Sequence, residues 1–131
     1  MTGKYKDIAS IPPNRRRTIQ YDAAKNPLCR HGGPGGEAEV LGVLAALKVL
    51  SDESGISAGT LALGWCVRKP GVATTIVGCR DRAQLWENLP AAETDWDDNR
   101  LASLDETSRP LKERLGNEPD LWELGEKSRV W

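Results

Sequence analysis

Residues 61–90, LALGWCVRKPGVATTIVGCRDRAQLWENLP, carry the pattern that sets the fold class. Within them Val72-Ala73-Thr74-Thr75-Ile76-Val77-Gly78 is a short, mostly apolar, β-branched run bounded by glycines. Such a run predicts a buried strand of the parallel kind. Lys69-Pro70-Gly71 breaks the chain before it. After it come Cys79-Arg80 and then Asp81, with Gln84 three residues on. That spacing is like a capping box and predicts a helix through Leu85, Trp86 and Leu89 to Pro90.

Working outward, Ser57 is placed to cap a helix in which Ala58, Leu61, Ala62, Trp65 and Cys66 share one face. Leu63 and Val67 make its other side apolar too, so it is expected to be buried on more than one side. Upstream, Val40, Val43, Leu44, Leu47 and Leu50 follow helical spacing from Glu37 and predict an amphipathic helix ending near Gly55. Downstream, a further helix uses Leu101 and Leu104 and is expected to stop before Pro110, leaving a tail from Leu111 to Trp131. Residues 1–36, with Pro12, Pro13, Pro27, Pro34, the run Arg15-Arg16-Arg17 and the stretch HGGPGG, read as loop. One parallel strand cannot pair its own N–H and C=O groups. The inventory therefore looks like a slice of a repeating β/α architecture.

Composition narrows the function classes. The 131 residues are 39% hydrophobic and 28% charged, as in a globular chain with one modest core. The formal net charge of -1 gives no field that would gather a phosphate backbone or an anionic membrane, so no nucleic-acid partner is expected. MTGKYKDIAS carries charges where a signal peptide needs an apolar core, and no apolar run approaches the ~20 residues that span a bilayer. With three widely spaced cysteines, Cys29, Cys66 and Cys79, this reads as a cytoplasmic, reduced protein without a membrane segment.

Chemistry concentrates after the expected strand. Arg80 and Arg82 beside Gly78, with a helix start following, have the physics of a phosphate site. The bland alternative is a solvated connection in which Gln84 is a capping partner and Glu87 and Asn88 are exposed helix polar residues. Cys29 and the sole histidine, His31, lack the spacing of a zinc site, and His31 reads as a solvated loop residue. Tyr5 and Tyr21 have no lysine or aspartate placed to lower their pKa, and Asp95, Asp97 and Asp98 read as a helix start. The five tryptophans read as core and docking residues.

The segment LALGWCVRKPGVATTIVGCRDRAQLWENLPAAE resembles the C-terminal signature of the aldo-keto reductases, an A-L-x-W helix, P-G-V, a T-x-I-V-G strand, a basic loop and Q-L-x-E-N-L. MTGKYK resembles the family's segment just after the seventh barrel strand, and LASLDETSRP its post-barrel helix. The resemblance implies an α/β fold, the C-terminal fragment of a (β/α)8 TIM barrel, mostly helical with one clear parallel-type strand. Residues 1–36 would be the loop after strand seven, 37–110 the C-terminal part of the reductase domain, and 111–131 a tail.

By the same resemblance, this chain would be the cofactor-binding portion of an NAD(P)H-dependent carbonyl, aldehyde or sugar reductase. Gly78, Cys79 and Arg80 would line the adenosine phosphate, Gln84 would lie near the 2′-phosphate, Glu87 and Asn88 would touch the adenine, and Lys4 would lie near the pyrophosphate. Gly78 and Gln84 stand where some branches have lysine and arginine, so NAD stands beside NADP as cofactor. The family's catalytic Asp, Tyr, Lys and His have no counterpart here, so no catalytic residue is assigned and the chain alone is expected to be inactive. Its expected partners are a nicotinamide dinucleotide and either the missing barrel portion or further copies. The alternative is a nucleotide-binding or self-associating remnant without enzymatic activity.

Overall fold

The computed structural model describes Tyr5, residues 7–118 and residues 120–129. Five α-helices account for its regular structure: α1 (Glu37–Ser54), α2 (Ala58–Val67), α3 (Arg82–Asn88), α4 (Pro90–Glu93) and α5 (Asp98–Leu115). Short 3-10 turns lie at Pro13–Arg15, Ala23–Lys25 and Gly125–Lys127.

Among the described residues there is no β-strand, which overturns the expected parallel-type strand at Val72–Gly78. The physical reason is the one that made a lone strand suspect. No second strand supplies a ladder, and none of the residues from Ala73 to Gly78 makes a hydrogen bond among the described residues. The run is also exposed, with Ile76 at 97% and Val72 and Val77 near two-fifths.

Two compact units divide the chain, one of residues 44–107 and one of the described residues in 5–43 and from 108 on. In the first, α2 packs on α4 and α3, and α3 on α4. Leu47, Leu61, Ala91 and Leu104 are buried in it, Leu61 completely. Burying one leucine removes apolar surface worth about 1.5–3 kcal/mol. Ser57 caps α2 as expected, its side chain accepting from the Thr60 N–H. The ring of Trp96 lies against the backbone at Gly64, and its Nε1 donates to the Ala91 carbonyl at 3.2 Å. Arg68 stacks on the same ring and donates to the carbonyls of Ala91, Ala92 and Thr94. Also from α2, Trp65 Nε1 donates to Asp105 at 3.1 Å, and Lys69 both pairs with Asp105 and sits over the Trp65 ring.

In the second unit Ile11, Ile19, Val40, Val43 and Leu111 are buried. Buried Asn26 uses both ends of its amide, donating to the carbonyls of Pro13 and Arg16 and accepting from the Leu28 N–H. Gly35 lies so close to the Tyr21 and Asp22 backbone that a β-carbon there has no room. Arg114 donates to its carbonyl at 3.1 Å. Toward the C-terminus the enclosed Asp120 carboxylate accepts from Arg129 Nε and Nη2 and from the backbone N–H groups of Trp122 and Arg129. These donors, chiefly the Arg129 guanidinium, hold its carboxyl well below the usual range.

Two further expectations are corrected. The last helix does not stop before Pro110 but runs through it to Leu115. Proline costs that helix one hydrogen bond, and buried Leu111 together with the Arg114 bond holds the turn beyond it. His31 is not a solvated residue. It is 8% exposed, its Nδ1 accepts from the Gly33 N–H at 3.2 Å, and its Nε2 is buried with no hydrogen-bond partner among the described residues.

Candidate functional site

The site begins where the unpaired run ends. Asp81 caps α3, its carboxylate accepting from the Gln84 N–H at 2.9 Å, as the spacing predicts. Gln84 reaches back past the cap, and its Oε1 accepts from the Arg80 N–H at 2.9 Å. One turn further along α3, Asn88 Nδ2 donates to Cys79 Sγ at 3.3 Å. The Cys79–Arg80 loop is thus tied to α3 at two points.

Beside this loop lies a cavity of about 960 Å³. Residues 55–60, Ala62, Leu63 and Cys66 form one wall, and Val77, Gly78, Gln84, Glu87, Asn88, Pro90 and Thr94 the other. The walls are held together by Thr60, whose hydroxyl donates to the Glu87 carbonyl at 3.2 Å. Four of the residues assigned from the sequence, Gly78, Gln84, Glu87 and Asn88, therefore share one concave surface. Arg80 and Cys79 lie next to it in the chain but outside its lining, and both are exposed. Lys4 lies outside the described residues.

The electrostatics divide in two. Glu87 is the sole charged residue among those lining the cavity, so the cavity suits an uncharged group that offers N–H donors and rejects phosphate. The cations stand outside it. The side chains of Arg80 and Arg82 are exposed, and neither makes an ion pair or hydrogen bond among the described residues. Asp81 already places a carboxylate at the start of α3, so an anion there would rely on the guanidinium groups and not on the helix end. At Gly78 a β-carbon would meet nothing within 4 Å, so that position leaves open room for a ligand.

Sequence reasoning missed the α2 wall. Its signal is the run of small residues Ser57-Ala58-Gly59-Thr60, continued by Ala62, which keeps the cavity open where larger side chains would fill it. A second set of cations lies in the other unit, where Arg16 and Arg17 each keep a buried Nε without an acceptor among the described residues.

No helix among the described residues is long and apolar enough to cross a membrane. The family model of the aldo/keto reductases matches residues 2–109. A protein of Arabidopsis thaliana described as a probable voltage-gated potassium channel subunit beta is 34% identical over 95 residues, 71% of this chain and 26% of that protein. A putative voltage-gated potassium channel subunit beta of Schizosaccharomyces pombe is 30% identical over 93 residues, again 71% of this chain and 25% of the relative. The chain thus spans about a quarter of the length of the curated relatives it matches. On the match across most of its residues, the chain belongs to the aldo/keto reductase family, whose members are oxidoreductases that bind nicotinamide cofactors.

Proposed function

We propose that this chain carries the adenosine-phosphate end of a nicotinamide dinucleotide site and does not reduce carbonyl compounds by itself. The observation that carries the reading is the grouping of Gly78, Gln84, Glu87 and Asn88 around one cavity, with two guanidinium groups next to it in the chain that have no partner among the described residues. The cavity is of the size that holds small ligands, about 300–1,000 Å³. Its single carboxylate, Glu87, suits the amino group of adenine. Arg80 and Arg82 suit phosphate, and two of them favour NADP over NAD because the extra 2′-phosphate adds charge-assisted hydrogen bonds.

Bound in this way, the dinucleotide would supply the hydride, while the chain's own residues would fix its adenosine end. Hydride transfer needs a proton donor and a substrate held in near-attack geometry, and the cavity offers neither beyond Glu87 and Cys66. The exposed Ile76, Leu85 and Trp86 favour association with the rest of a family-length protein or with further copies. Three free thiols suit a cytoplasmic setting.

The test is titration of the chain with NADPH and with NADH, followed by tryptophan fluorescence, Trp86 on α3 being 60% exposed and next to the site. Saturable NADPH binding, tighter than NADH and weakened about tenfold by Arg80→Ala, is expected for the loss of a charge-assisted contact. Absence of saturable binding overturns the reading. Oxidation of NADPH by added aldehydes above the blank rate overturns the claim of inactivity.

A further inference from the structure

We propose that the run Ala73–Gly78 is a homodimer interface, pairing as an antiparallel strand with the same run of a second copy of this chain. This is independent of the nucleotide reading.

The surface is defined by the bonds its backbone leaves unmade. None of the six residues makes a hydrogen bond among the described residues, so a row of consecutive N–H and C=O groups is available. Such a row fits another extended backbone, as the open edge of a sheet does. The side chains agree with that partner. Val72, Thr74, Thr75, Ile76 and Val77 are β-branched, and all but Thr75 are exposed, Ile76 at 97%. No charge and no proline interrupts the chain from Val72 to Cys79.

These properties select a second copy as the occupant. An identical run brings the same uncharged, β-branched residues and the same unmade bonds, so each copy satisfies the other and the pair closes on a two-fold axis. Charge sets the direction. The guanidinium groups of Arg80 and Arg82 lie just beyond the run and have no partner among the described residues. Parallel pairing in register would set each against its own copy, which is unfavourable. Antiparallel pairing of Ala73 with Gly78, Thr74 with Val77 and Thr75 with Ile76 sends the two Arg80 to opposite ends, each beside Gly71 of the other copy. The cations already at that end are occupied, Lys69 by Asp105 and Arg68 by the carbonyls of Ala91, Ala92 and Thr94.

The test uses the full chain. Sedimentation equilibrium should show monomer passing to dimer between about 5 and about 500 µM, the span of a small, weak interface. One edge of an antiparallel strand bonds at alternate residues, so hydrogen exchange at high concentration should protect every second amide from Ala73 to Gly78. Dilution should remove that protection. Thr74→Pro and Thr75→Pro delete neighbouring N–H groups, of which one lies on the paired edge. One variant should weaken the dimer at least about tenfold, since two hydrogen bonds are lost per dimer, and the other at most about threefold. Exposed Cys79 reports the direction, because its two copies stand about 24 Å apart in the antiparallel pair and side by side in a parallel one. It should stay uncross-linked under mild oxidation. A chain that remains monomeric throughout, an assembly that does not stop at two, a dimer whose run exchanges freely, an equal effect of the two prolines, or a Cys79 disulfide between copies overturns the inference. Should a proline variant lose its helical circular dichroism, the wild-type exchange pattern still decides.

Discussion

The six-membered ring of Trp96 occupies the space that a β-carbon on Gly64 would need. Three of its carbons crowd that position, and Gly64 is buried in the middle of α2. Gly64→Ala therefore sets two effects against each other. Alanine favours the helix by about 1 kcal/mol. Overlap with a packed ring costs about 1–3 kcal/mol and also displaces the Trp96 bond to Ala91 and the Arg68 stack. Net destabilisation of about 2 kcal/mol is expected, read as a lower urea midpoint with the slope unchanged. A midpoint at or above wild type would mean that the ring has another resting place.

The run from Ala73 to Val77, without a hydrogen bond among the described residues, makes a different prediction. Ile76 is 97% exposed and makes no hydrogen bond among the described residues, so Ile76→Lys removes no packing. Stability should stay within about 0.5 kcal/mol of wild type, as for ordinary surface changes. Light scattering at high concentration should fall, because a lysine blocks association through an uncharged, β-branched segment. Loss of helical circular dichroism in this variant would show that the run is packed after all.

Asp120 predicts a pH dependence. Its folded-state carboxyl titrates below the unfolded value, so its contribution to stability is complete at pH 7. The contribution declines once pH drops below about 4, where an unfolded aspartate takes up its proton, and is lost as pH falls through the folded value. Asp120→Asn should lower the urea midpoint at pH 7, and the gap from wild type should narrow between pH 5 and pH 2. A gap independent of pH would place the stabilisation elsewhere than in the Arg129 pairing.

Helices and caps were legible in the sequence because their causes are local. The stripe of Val40, Val43 and Leu47, the Ser57 cap and the Asp81–Gln84 spacing each act within a few residues, and each appears as read. The strand at Val72–Gly78 was misread because β-propensity describes a surface that fits between neighbours, and the described residues offer none. Pro110 was misread for a related reason, since tertiary packing of Leu111 outweighs the break. His31 looked solvated among glycines, yet it is buried and the turn those glycines allow brings the Gly33 N–H onto its Nδ1. Of the site, the residues on α3 were visible as a motif. The α2 wall was not, because it takes part by being small.

Arg68 adds a consequence for the order of events during folding. The carbonyls of Ala91, Ala92 and Thr94 accept from a side chain more than twenty residues earlier, which adds to the stop that the Thr94 N–H makes on the Pro90 carbonyl at the end of α4. A chain emerging from its N-terminus builds α2 first and holds that guanidinium ready. The carbonyls after Pro90 gain these further donors only when the segment reaches α2, and the two elements should therefore gain protection in the same kinetic step.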